Sequence, residues 1–206
     1  EKLLLSALKK LMTAKEFAPF RLVGGTALSL QMGHRLSVDI DLFTDGLYGS
    51  VDFALIDSYL RSVYPYIETS RDTAPGFGKR FSVGYEENKS VKLDVFYTDP
   101  FIRPEKIIDD IRMASIEDII AMKMELISNK GRMKDFWDVH ELADRYSFQE
   151  MLAFHKERYP FTHNLKNIKG GFQNFSHADN DLPPDCLRGK HWEIIKLDLI
   201  DFAMKG

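Results

Sequence analysis

The sequence lacks the features that mark a disulfide-bonded or membrane-embedded chain. It holds a single cysteine, Cys186, among 206 residues, so no disulfide can form within the chain. No hydrophobic run approaches the ~18–20 residues that a membrane-spanning helix needs. Lysines interrupt the apolar opening of the chain and no small-residue cleavage site follows, which predicts an amphipathic helix rather than a signal peptide. We therefore expect a cytoplasmic protein with no membrane partner.

The sequence also lacks a strong excess of charge of either sign. The chain has 28 Lys and Arg against 31 Asp and Glu, a formal net charge of −3. This balance argues against a protein that coats nucleic acid through bulk positive charge, although a local basic patch stays open. The six histidines show no metal-ligand spacing, which argues against zinc. What remains is an ordinary globular composition, 44% hydrophobic and 29% charged.

The hydrophobic pattern predicts an α+β chain in two parts. Short apolar runs predict five strands, Arg21–Val23, Val38–Phe43, Tyr66–Arg71, Arg80–Tyr85 and Val91–Tyr97. The last two flank a short turn and predict an antiparallel hairpin. From Ile107 onward the pattern is helical, and Ser115 and Ser147 each begin a capping box. We expect an α/β lobe over residues 1–110 and a helical lobe over residues 111–206 that completes a cleft.

Two aspartates separated by one residue lie in the predicted strand Val38–Phe43. Because side chains alternate along a strand, Asp39 and Asp41 are expected on one face while Val38 and its apolar neighbours enter the core. Two such carboxylates repel each other and contribute little to folding, and a divalent cation would relieve the repulsion. Oxygen ligands of this kind suit Mg²⁺ or Mn²⁺. A solvent-facing acidic edge without a role is the alternative.

Glycines precede these acids at a junction between a predicted strand and a predicted helix. Gly24 and Gly25 would let the backbone approach a ligand closely, and the helix that follows from Thr26 would point its unpaired N–H groups at a phosphate. A plain tight turn would explain the glycines alone. Their position about 14 residues before the paired aspartates favours a phosphate cradle beside a metal-binding strand.

Asp94 is a charged residue in the middle of the apolar strand Val91–Tyr97, a placement that is costly unless the carboxylate is paired or bound to a ligand. Three aspartates on adjacent strands are typical of two-metal sites for phosphoryl transfer. Asp94 could also take the proton from an attacking hydroxyl. A salt bridge with Arg35 or Lys92 is the alternative.

Two charged residues fall within the apolar arcs of consecutive predicted helices. On a helical wheel Lys123 lies at the centre of the apolar arc of its helix, and Asp135 lies within the arc of the next one. Their opposite charges predict either a mutual ion pair or a shared cleft, in which Lys123 would contact a nucleoside triphosphate. Arg132 and Lys134 would add positive charge at the mouth of such a cleft, and the alternative is that they are surface residues without a role.

Two separated motifs resemble the AbiEii-type nucleotidyltransferases, a family within the polymerase-β-like superfamily that includes toxins of type IV toxin–antitoxin and abortive-infection systems. The first motif comprises Gly24-Gly25-Thr26, Gly33-His34-Arg35, Ser37 and Asp39-Ile40-Asp41-Leu42-Phe43. The second comprises Lys123 and Arg132-Met133-Lys134-Asp135-Phe136-Trp137-Asp138. The resemblance spans about residues 20–145. It implies a nucleotidyltransferase lobe with a mixed sheet and flanking helices, followed by a helical lobe.

The resemblance also implies roles for individual residues. Gly24, Gly25 and Thr26 would hold the triphosphate of a nucleoside triphosphate. Asp39 and Asp41 would bind Mg²⁺, with Asp94 as third acid. The remaining roles are that Lys123 contacts the nucleotide, Asp135 completes the site, and Arg35 and Ser37 brace the metal strand or contact phosphate.

The expected reaction moves a nucleoside monophosphate from a triphosphate to an acceptor hydroxyl on an RNA end, a protein or a small molecule. An RNA acceptor would require positive charge in the cleft, for which Lys79, Arg80, Arg132 and Lys134 are candidates. The resemblance alone implies a toxin with a cognate antitoxin. A catalytically silent module that binds nucleotide or a partner is the alternative, and a plain interaction protein is a third.

Overall fold

The computed structural model of the protein describes residues 2–70 and 76–206, so Arg71 of the third predicted strand lies outside the described residues. The helices are α1 (Lys2–Thr13), α2 (Gly24–Met32), α3 (Phe53–Val63), α4 (Ile116–Ser128), α5 (Met133–Leu142), α6 (Phe148–Arg158), α7 (Leu165–Gly171) and α8 (Trp192–Lys205). The strands are β1 (Arg21–Leu22), β2 (Ile40–Thr44), β3 (Tyr66–Thr69), β4 (Gly78–Glu86), β5 (Lys89–Tyr97), β6 (Lys106–Ile108) and β7 (Ile111–Met113). The predicted α+β class is confirmed.

The strands form one mixed sheet in the order β3-β4-β5-β2-β1-β7-β6. β4 and β5 make the antiparallel hairpin that the sequence predicts, with a two-residue turn at Glu87 and Asn88. β2 lies beside β5 and runs parallel to it, whereas β1 runs antiparallel to β2. A parallel pair needs a long crossover connection, and here the whole segment from β2 to the hairpin supplies it. The topology thus makes β2 and β5 neighbours although they are far apart in sequence.

The prediction that the pattern is helical from Ile107 onward is wrong for its first residues. β6 and β7 form a hairpin there, and the helices begin at Ile116. Asp109 and Asp110 both have positive φ, 51° and 64°, as a two-residue hairpin turn of this twist requires. Aspartate tolerates this left-handed backbone better than most residues, although Asn-Gly is the usual signal.

The second predicted strand starts later than expected. β2 begins at Ile40, so Asp39 lies just before the strand rather than within it. The alternation of buried and exposed residues therefore does not extend back to Val38. This residue is 70% exposed, so the prediction that it lies in the core is wrong. Ile40, Leu42 and Thr44 are buried, while Asp41 and Phe43 on the opposite face are partly exposed.

The chain forms two compact units that are interleaved along the sequence. The first contains the sheet and comprises residues up to Thr26, Val38–Pro100 and Glu105–Ala114. The second comprises Ala27–Ser37, Phe101–Pro104 and Ser115–Gly206. The predicted boundary at residue 110 stays a prediction.

Each unit has its own apolar core. In the first unit α1 and α3 contact strands of the sheet, and the core includes fully buried Leu8, Phe17, Phe20, Leu42 and Leu93. In the second unit α4 contacts α5, α6 and α7, around fully buried side chains such as Ile120, Met124, Phe136 and Phe172. Within the described residues, no helix is long and apolar enough to cross a membrane.

Local signals set the ends of several helices, and the starts at Ser115 and Ser147 are as predicted. The hydroxyl of Ser115 accepts the N–H of Asp118 and caps α4, and Ser147 caps α6 in the same way with Glu150 as reciprocal partner. Gly33, with φ of 61°, follows α2 and donates its N–H to the carbonyl of Ser29. That conformation favours glycine and ends the helix. The cap at Ser115 fixes the start of the helix that carries the predicted lysine of the site.

Candidate active site

The sheet places two of the three predicted acids opposite each other. Asp41 of β2 and Asp94 of β5 are partners in the parallel ladder. Paired residues of neighbouring strands project from the same face, so the two carboxylates share one face of the sheet. The residues that flank them, Leu42 and Leu93 among them, are buried on the other face. Asp39 lies immediately before β2 and is partly exposed.

The backbone of Gly24 lies next to the carboxylate of Asp41. Gly24 begins α2 with φ of 67°, a conformation that disfavours any side chain. A Cβ at this position would also lie 2.8 Å from Oδ2 of Asp41, so only glycine lets the backbone stand this close to the carboxylate. Gly25 and Thr26 complete the first turn of the helix, where backbone N–H groups have no intrahelical acceptor.

Thr26 is 2% exposed and its hydroxyl donates a hydrogen bond to the backbone carbonyl of Asp39. This bond ties the first turn of α2 to the residue that precedes β2. The side chain of Thr26 therefore braces the glycine turn against the acids. Its backbone N–H, rather than its hydroxyl, is then the group suited to contact an anion.

The carboxylate of Asp94 is only half satisfied. Its Oδ2 accepts a hydrogen bond from Arg80 Nε at 3.3 Å and lies 3.6 Å from Lys92 Nζ. Its Oδ1 is buried and has no hydrogen-bond partner in the described part of the chain. The alternative of a salt bridge is therefore realised with Lys92, and also with Arg80, whereas Arg35 pairs with Asp138. A buried carboxylate oxygen without a partner is costly and fits a position that a ligand completes.

The carboxylates of this face suit a hard cation that is also coordinated by water and by phosphate oxygens. Across residues 2–70 and 76–206, no group of three or more His, Cys, Asp or Glu side chains is arranged to hold a metal ion. Magnesium in phosphoryl-transfer sites uses one or two carboxylates and completes its octahedron with water and substrate phosphate. Asp41 and the unsatisfied oxygen of Asp94 fit this requirement.

A second charged cluster lies in the helical unit. Lys123 of α4 is 3% exposed and its Nζ lies 2.7 Å from Asp135 Oδ1 and 2.7 Å from Asp138 Oδ2, both on α5. Of the two interpretations left open by the sequence, the structure contains the mutual ion pair of Lys123 and Asp135. The remaining Oδ2 of Asp135 accepts the backbone N–H of Arg132 at 3.0 Å, which caps α5.

The ionisation of this cluster is fixed by its own members. Burial is the largest influence and would by itself raise the pKa of Asp135 and of Asp138, but the Lys123 ammonium and the hydrogen bonds that the two carboxylates accept together hold both pKa values below the ordinary one. Hydrogen bonds from Arg35 and His34 lower the pKa of Asp138 further. Burial alone would lower the pKa of Lys123, and the two carboxylates reverse that direction. All three groups are therefore charged at neutral pH.

Arg35 serves this helical cluster. Its Nε donates to Asp138 Oδ1 at 2.6 Å and its terminal nitrogen donates to Oδ2 at 2.9 Å, a bidentate contact in which the Arg35 residue is 3% exposed. His34 Nε2 lies 2.8 Å from the same Oδ1. The expected role of Arg35 at the metal strand or on phosphate stays a prediction. Ser37 follows in the segment before β2 and is partly exposed.

Asp138 and His34 are buried polar residues of the cluster that lie outside the predicted set of site residues. Asp138 follows Asp135 by three residues, so the two carboxylates lie on one face of α5. That spacing is a usable signal. The pairing of His34 and Arg35 with Asp138 joins residues 104 and 103 positions apart and has no local signal.

The basic candidates do not act as one group. Arg80 faces Asp94, and its guanidinium carbon lies 5.4 Å from the centre of the Phe96 ring. On α3 the hydrogen bond from Arg61 lowers the pKa of Asp57, and the charge of Lys79, the neighbour of Arg80 on β4, adds to this effect. Neighbouring strand residues point to opposite faces, so Lys79 and Arg80 cannot serve one surface.

The other two basic candidates flank the start of α5. Arg132 Nε lies 3.7 Å from Asp135 Oδ2, and the Arg132 side chain is 53% exposed. Lys134 lies in the first turn of α5 and is partly exposed. Their expected contact with an RNA acceptor stays a prediction.

Comparison with solved structures identifies the class of fold. A candidate nucleotidyltransferase from Helicobacter pylori is 23% identical, with a TM-score of 0.62 over 99% of this chain and 91% of that one. MenT4, a nucleotidyltransferase toxin from Mycobacterium tuberculosis, is 13% identical, with a TM-score of 0.58 over 96% of this chain and 84% of that one. The fold is that of the nucleotidyltransferases.

The chain belongs to the nucleotidyl transferase AbiEii toxin family of type IV toxin–antitoxin systems, whose family model matches residues 6–192. An uncharacterized protein of Aquifex aeolicus is 30% identical over 159 residues, which cover 74% of this chain and 72% of that protein. The predicted family and the predicted enzyme class, a nucleotidyltransferase, are confirmed.

Proposed function

We propose that the protein transfers a nucleoside monophosphate from a nucleoside triphosphate to an acceptor hydroxyl in a magnesium-dependent reaction. The observation that carries this proposal is the register of Asp41 and Asp94 on one face of the sheet, directly beside the glycine that opens α2. In a metal–triphosphate complex, carboxylates of this kind bind the metal ion, and the N–H groups at the start of a helix bind the phosphates.

The triphosphate would lie against the first turn of α2. Gly24 exposes backbone where any other residue would put a Cβ against Asp41, and the N–H groups of Gly25 and Thr26 are suited to phosphate oxygens. The bond from Thr26 to Asp39 keeps this turn next to the acids. Positioning of this type reduces the entropic part of the barrier to transfer.

Asp39, Asp41 and Asp94 are the residues that would hold Mg²⁺ or Mn²⁺. The cation supplies neutralisation of the charge that develops on the phosphate oxygens. Asp94 Oδ1 would either bind this cation or receive the proton of the acceptor hydroxyl, since Arg80 and Lys92 hold the other oxygen. In the balanced step, the acceptor oxygen bonds to the α-phosphorus and pyrophosphate leaves.

The helical cluster would contribute through Lys123. In the described part of the chain, two of its three ammonium protons face Asp135 and Asp138, which would leave one N–H for the nucleotide. Asp135 orients the ammonium, and Arg35 with Ser37 supports the segment that leads into β2. These roles rest on the family membership together with the ion-pair geometry of the second unit.

The acceptor class, the toxin role and the antitoxin belong to the same proposal. An RNA end, a protein side chain and a small molecule all offer the hydroxyl that the reaction needs. The structural neighbour MenT4 is named as a nucleotidyltransferase toxin, which supports a toxic activity held in check by a cognate antitoxin. We propose action in the cytoplasm, where triphosphates and such acceptors occur together.

A labelled-nucleotide transfer assay tests the proposal. Asp41→Asn should abolish incorporation of label into an acceptor pool of cellular RNA and protein while the folded state persists. Asp201→Asn is the matched control, because Asp201 pairs with Lys205 on the exposed surface of α8. Full transfer by Asp41→Asn, in the presence of Mg²⁺, would contradict the proposed role of the acids.

A catalytically silent nucleotide-binding or partner-binding module is the second candidate. The observation that favours it is that Asp94 and Lys123 already have ion-pair partners within the protein. Magnesium-dependent binding of a nucleotide without release of pyrophosphate, across all four nucleoside triphosphates and the same acceptor pool, would favour this module over the enzyme.

A further inference from the structure

Two cations lie beside Asp94 on the acid-bearing face of the sheet. Arg80 of β4 is the cross-strand partner of Asp94, and Lys92 precedes Asp94 by two residues on β5. Residues paired across two strands, or two apart along one strand, project from the same face, so both cations share the face of the acids. In the order of the strands, this face carries Asp41, then Asp94, then Arg80. The acids are thus bordered by positive charge on the β4 side.

Asp94 occupies only part of the hydrogen-bonding capacity of these cations. Arg80 Nε donates to Asp94 Oδ2 at 3.3 Å, and its two terminal nitrogens make no hydrogen bond to any described residue. Lys92 Nζ lies 3.6 Å from the same oxygen, which is beyond hydrogen-bond distance. The two side chains are 47% and 49% exposed. Arg80 and Lys92 can therefore bind a further anion without leaving Asp94.

An aromatic ring orients Arg80. Phe96 lies two residues after Asp94 on the same face, and the guanidinium carbon of Arg80 lies 5.4 Å from the centre of its ring. The ring lies against Gly78, its cross-strand partner, where a Cβ would collide with it. A guanidinium held by a carboxylate through Nε and by a ring keeps its terminal N–H groups in a fixed fork, which is the geometry that suits a phosphate.

A cavity of about 720 Å³ opens next to the same cations. Its lining includes Arg80, Lys92 and Ser82, which pairs with Lys92 across the strands. The one carboxylate among the described lining residues belongs to Glu68 of β3, which is exposed and accepts a hydrogen bond from the Tyr66 hydroxyl at 3.1 Å. Two positive charges against one negative charge favour an anionic ligand, and the volume is typical of a small-molecule site.

The cavity lies on the side of the acids from which an acceptor would attack. α2 follows β1, and β1 borders β2 on the side opposite to β5. The first turn of α2, with Gly24 against Asp41, therefore lies on one side of the acids, and the cavity over β4 and β3 lies on the other. In a phosphoryl transfer the attacking and leaving oxygens are roughly in line, on opposite sides of the phosphorus. A triphosphate at α2 would release pyrophosphate on its own side and receive the acceptor from the side of Arg80.

We propose that this cavity binds an acceptor that carries a phosphate beside its hydroxyl, with Arg80 and Lys92 on the phosphate and the hydroxyl at Asp94. The inference rests on the proposed function and narrows its acceptor. Neighbouring strands are about 5 Å apart, so the phosphate and the hydroxyl belong to one nucleotide or sugar phosphate. The end of a polynucleotide and a free nucleotide both present this chemistry, whereas an unphosphorylated protein side chain does not.

Binding without transfer is the first test. The protein is saturated with Mg²⁺ and a non-hydrolysable triphosphate, and binding of a fluorescent oligoadenylate hexamer with a free 3′ hydroxyl is followed by anisotropy. Arg80→Gln and Lys92→Gln should each weaken binding about tenfold or more, as expected for a lost hydrogen bond to a charged group, and Lys92→Arg should retain affinity. Each lost cation should also reduce the salt dependence, the slope of log Kd against log salt, by about 0.7.

Lys89→Gln is the matched control, because Lys89 is an exposed cation at the other end of β5 and pairs with Glu86. It should leave binding unchanged. Competition with adenosine 5′-monophosphate separates the two sources, since displacement of the hexamer at comparable concentrations assigns a free nucleotide and its absence assigns a polynucleotide end. Binding that Arg80→Gln and Lys92→Gln leave unchanged, or that Lys89→Gln weakens equally, would overturn the site, as would no binding of either probe.

Transfer kinetics are the second test. Arg80→Gln should raise the KM for the acceptor probe about tenfold or more and leave the KM for the triphosphate unchanged. A raised KM for the triphosphate instead would place Arg80 and Lys92 on that substrate and overturn the acceptor site. If the wild type binds the probe but releases no pyrophosphate with any acceptor, the proposed function fails while the binding site stands. Transfer to the probe with an unchanged acceptor KM in both variants would leave the proposed function standing and refute the acceptor site.

Discussion

The acidic face of the sheet and the charged cluster of the helical unit use the same residue types to different ends. In the helical cluster every carboxylate oxygen of Asp135 and Asp138 has a partner, and the groups are almost fully buried. In the sheet, Asp94 keeps one buried oxygen without a partner among the described residues, beside Asp41. A hydrogen-bond network in which every buried polar atom has a partner stabilises the fold and orients its side chains. A network with an unpaired buried atom is suited to bind a ligand. The comparison therefore predicts that a cation binds at the sheet face, whereas the helical cluster stabilises its unit and orients Lys123.

Removal of Asp138 should have the largest effect on stability. Asp138→Ala leaves Lys123 and Arg35 buried without one of their partners, and breaking a buried pair in this way costs about 3–5 kcal/mol. Urea unfolding measures the change. Asp198→Asn is the matched control, because the Asp198 carboxylate on α8 also pairs with a histidine, His140, but is 56% exposed. We expect this variant to lose less than about 1 kcal/mol of unfolding free energy. Equal losses in the two variants would remove the distinction between the cluster and the surface.

Asp94→Asn should show the reverse pattern. Arg80 and Lys92 are about half exposed, so their loss of a partner should change the free energy of unfolding by less than about 1 kcal/mol. Transfer should fall about 100-fold or more, the usual contribution of a general base. Asp57→Asn on α3 removes an exposed pair with Arg61 and should leave transfer intact. A strongly destabilised but active Asp94→Asn would assign Asp94 to the scaffold.

Gly24→Ala tests the close approach of backbone to acid. The positive φ alone should destabilise the protein by about 1–2 kcal/mol, and the added Cβ would push Asp41 aside and weaken triphosphate binding. A fluorescent nucleotide analogue reports the affinity. At Gly170 the described residues outside its own helical turn leave open space where a methyl group would lie and φ is ordinary, so Gly170→Ala should change neither quantity appreciably. Unchanged nucleotide affinity in Gly24→Ala would speak against the phosphate cradle.

The pH dependence of stability sharpens the comparison further. The pKa values of Asp135 and Asp138 are lowered in the folded protein, so their contribution is fully present above the ordinary value of 3.8 and declines as the pH falls below it. Each such carboxylate adds a slope of about 1.4 kcal/mol per pH unit. Asp138→Asn should lack one of the two slopes in urea unfolding measured below about pH 4. An identical acid slope in wild type and variant would show that Asp138 is not the group concerned.

Features with a local signal can be predicted from the sequence. The caps at Ser115 and Ser147 depend on residues three positions apart, and the hairpin of β4 and β5 depends on one short turn. The β6–β7 hairpin escapes prediction because its turn uses two left-handed aspartates in place of an Asn-Gly pair. Val38 is misplaced by a prediction that extends alternation two residues beyond the start of β2.

The candidate site can be predicted in its residues but not in its arrangement. Asp41 and Asp94 are each identifiable as acids in apolar strands, whereas their pairing depends on a parallel crossover that only the topology reveals. The hydrogen-bonded ion pair of Arg35 and Asp138 joins residues 103 positions apart. Such contacts follow from the packing of the helical unit, and no periodicity in the sequence encodes them.

The most direct test is a crystal structure of the protein with Mg²⁺ and a non-hydrolysable nucleoside triphosphate. We expect a cation bound by Asp41 and by the previously unsatisfied oxygen of Asp94, with phosphate oxygens against the N–H groups that follow Gly24. A triphosphate seated away from the first turn of α2, with Asp94 still held only by Arg80 and Lys92, would contradict the assignment of this sheet face as the catalytic centre.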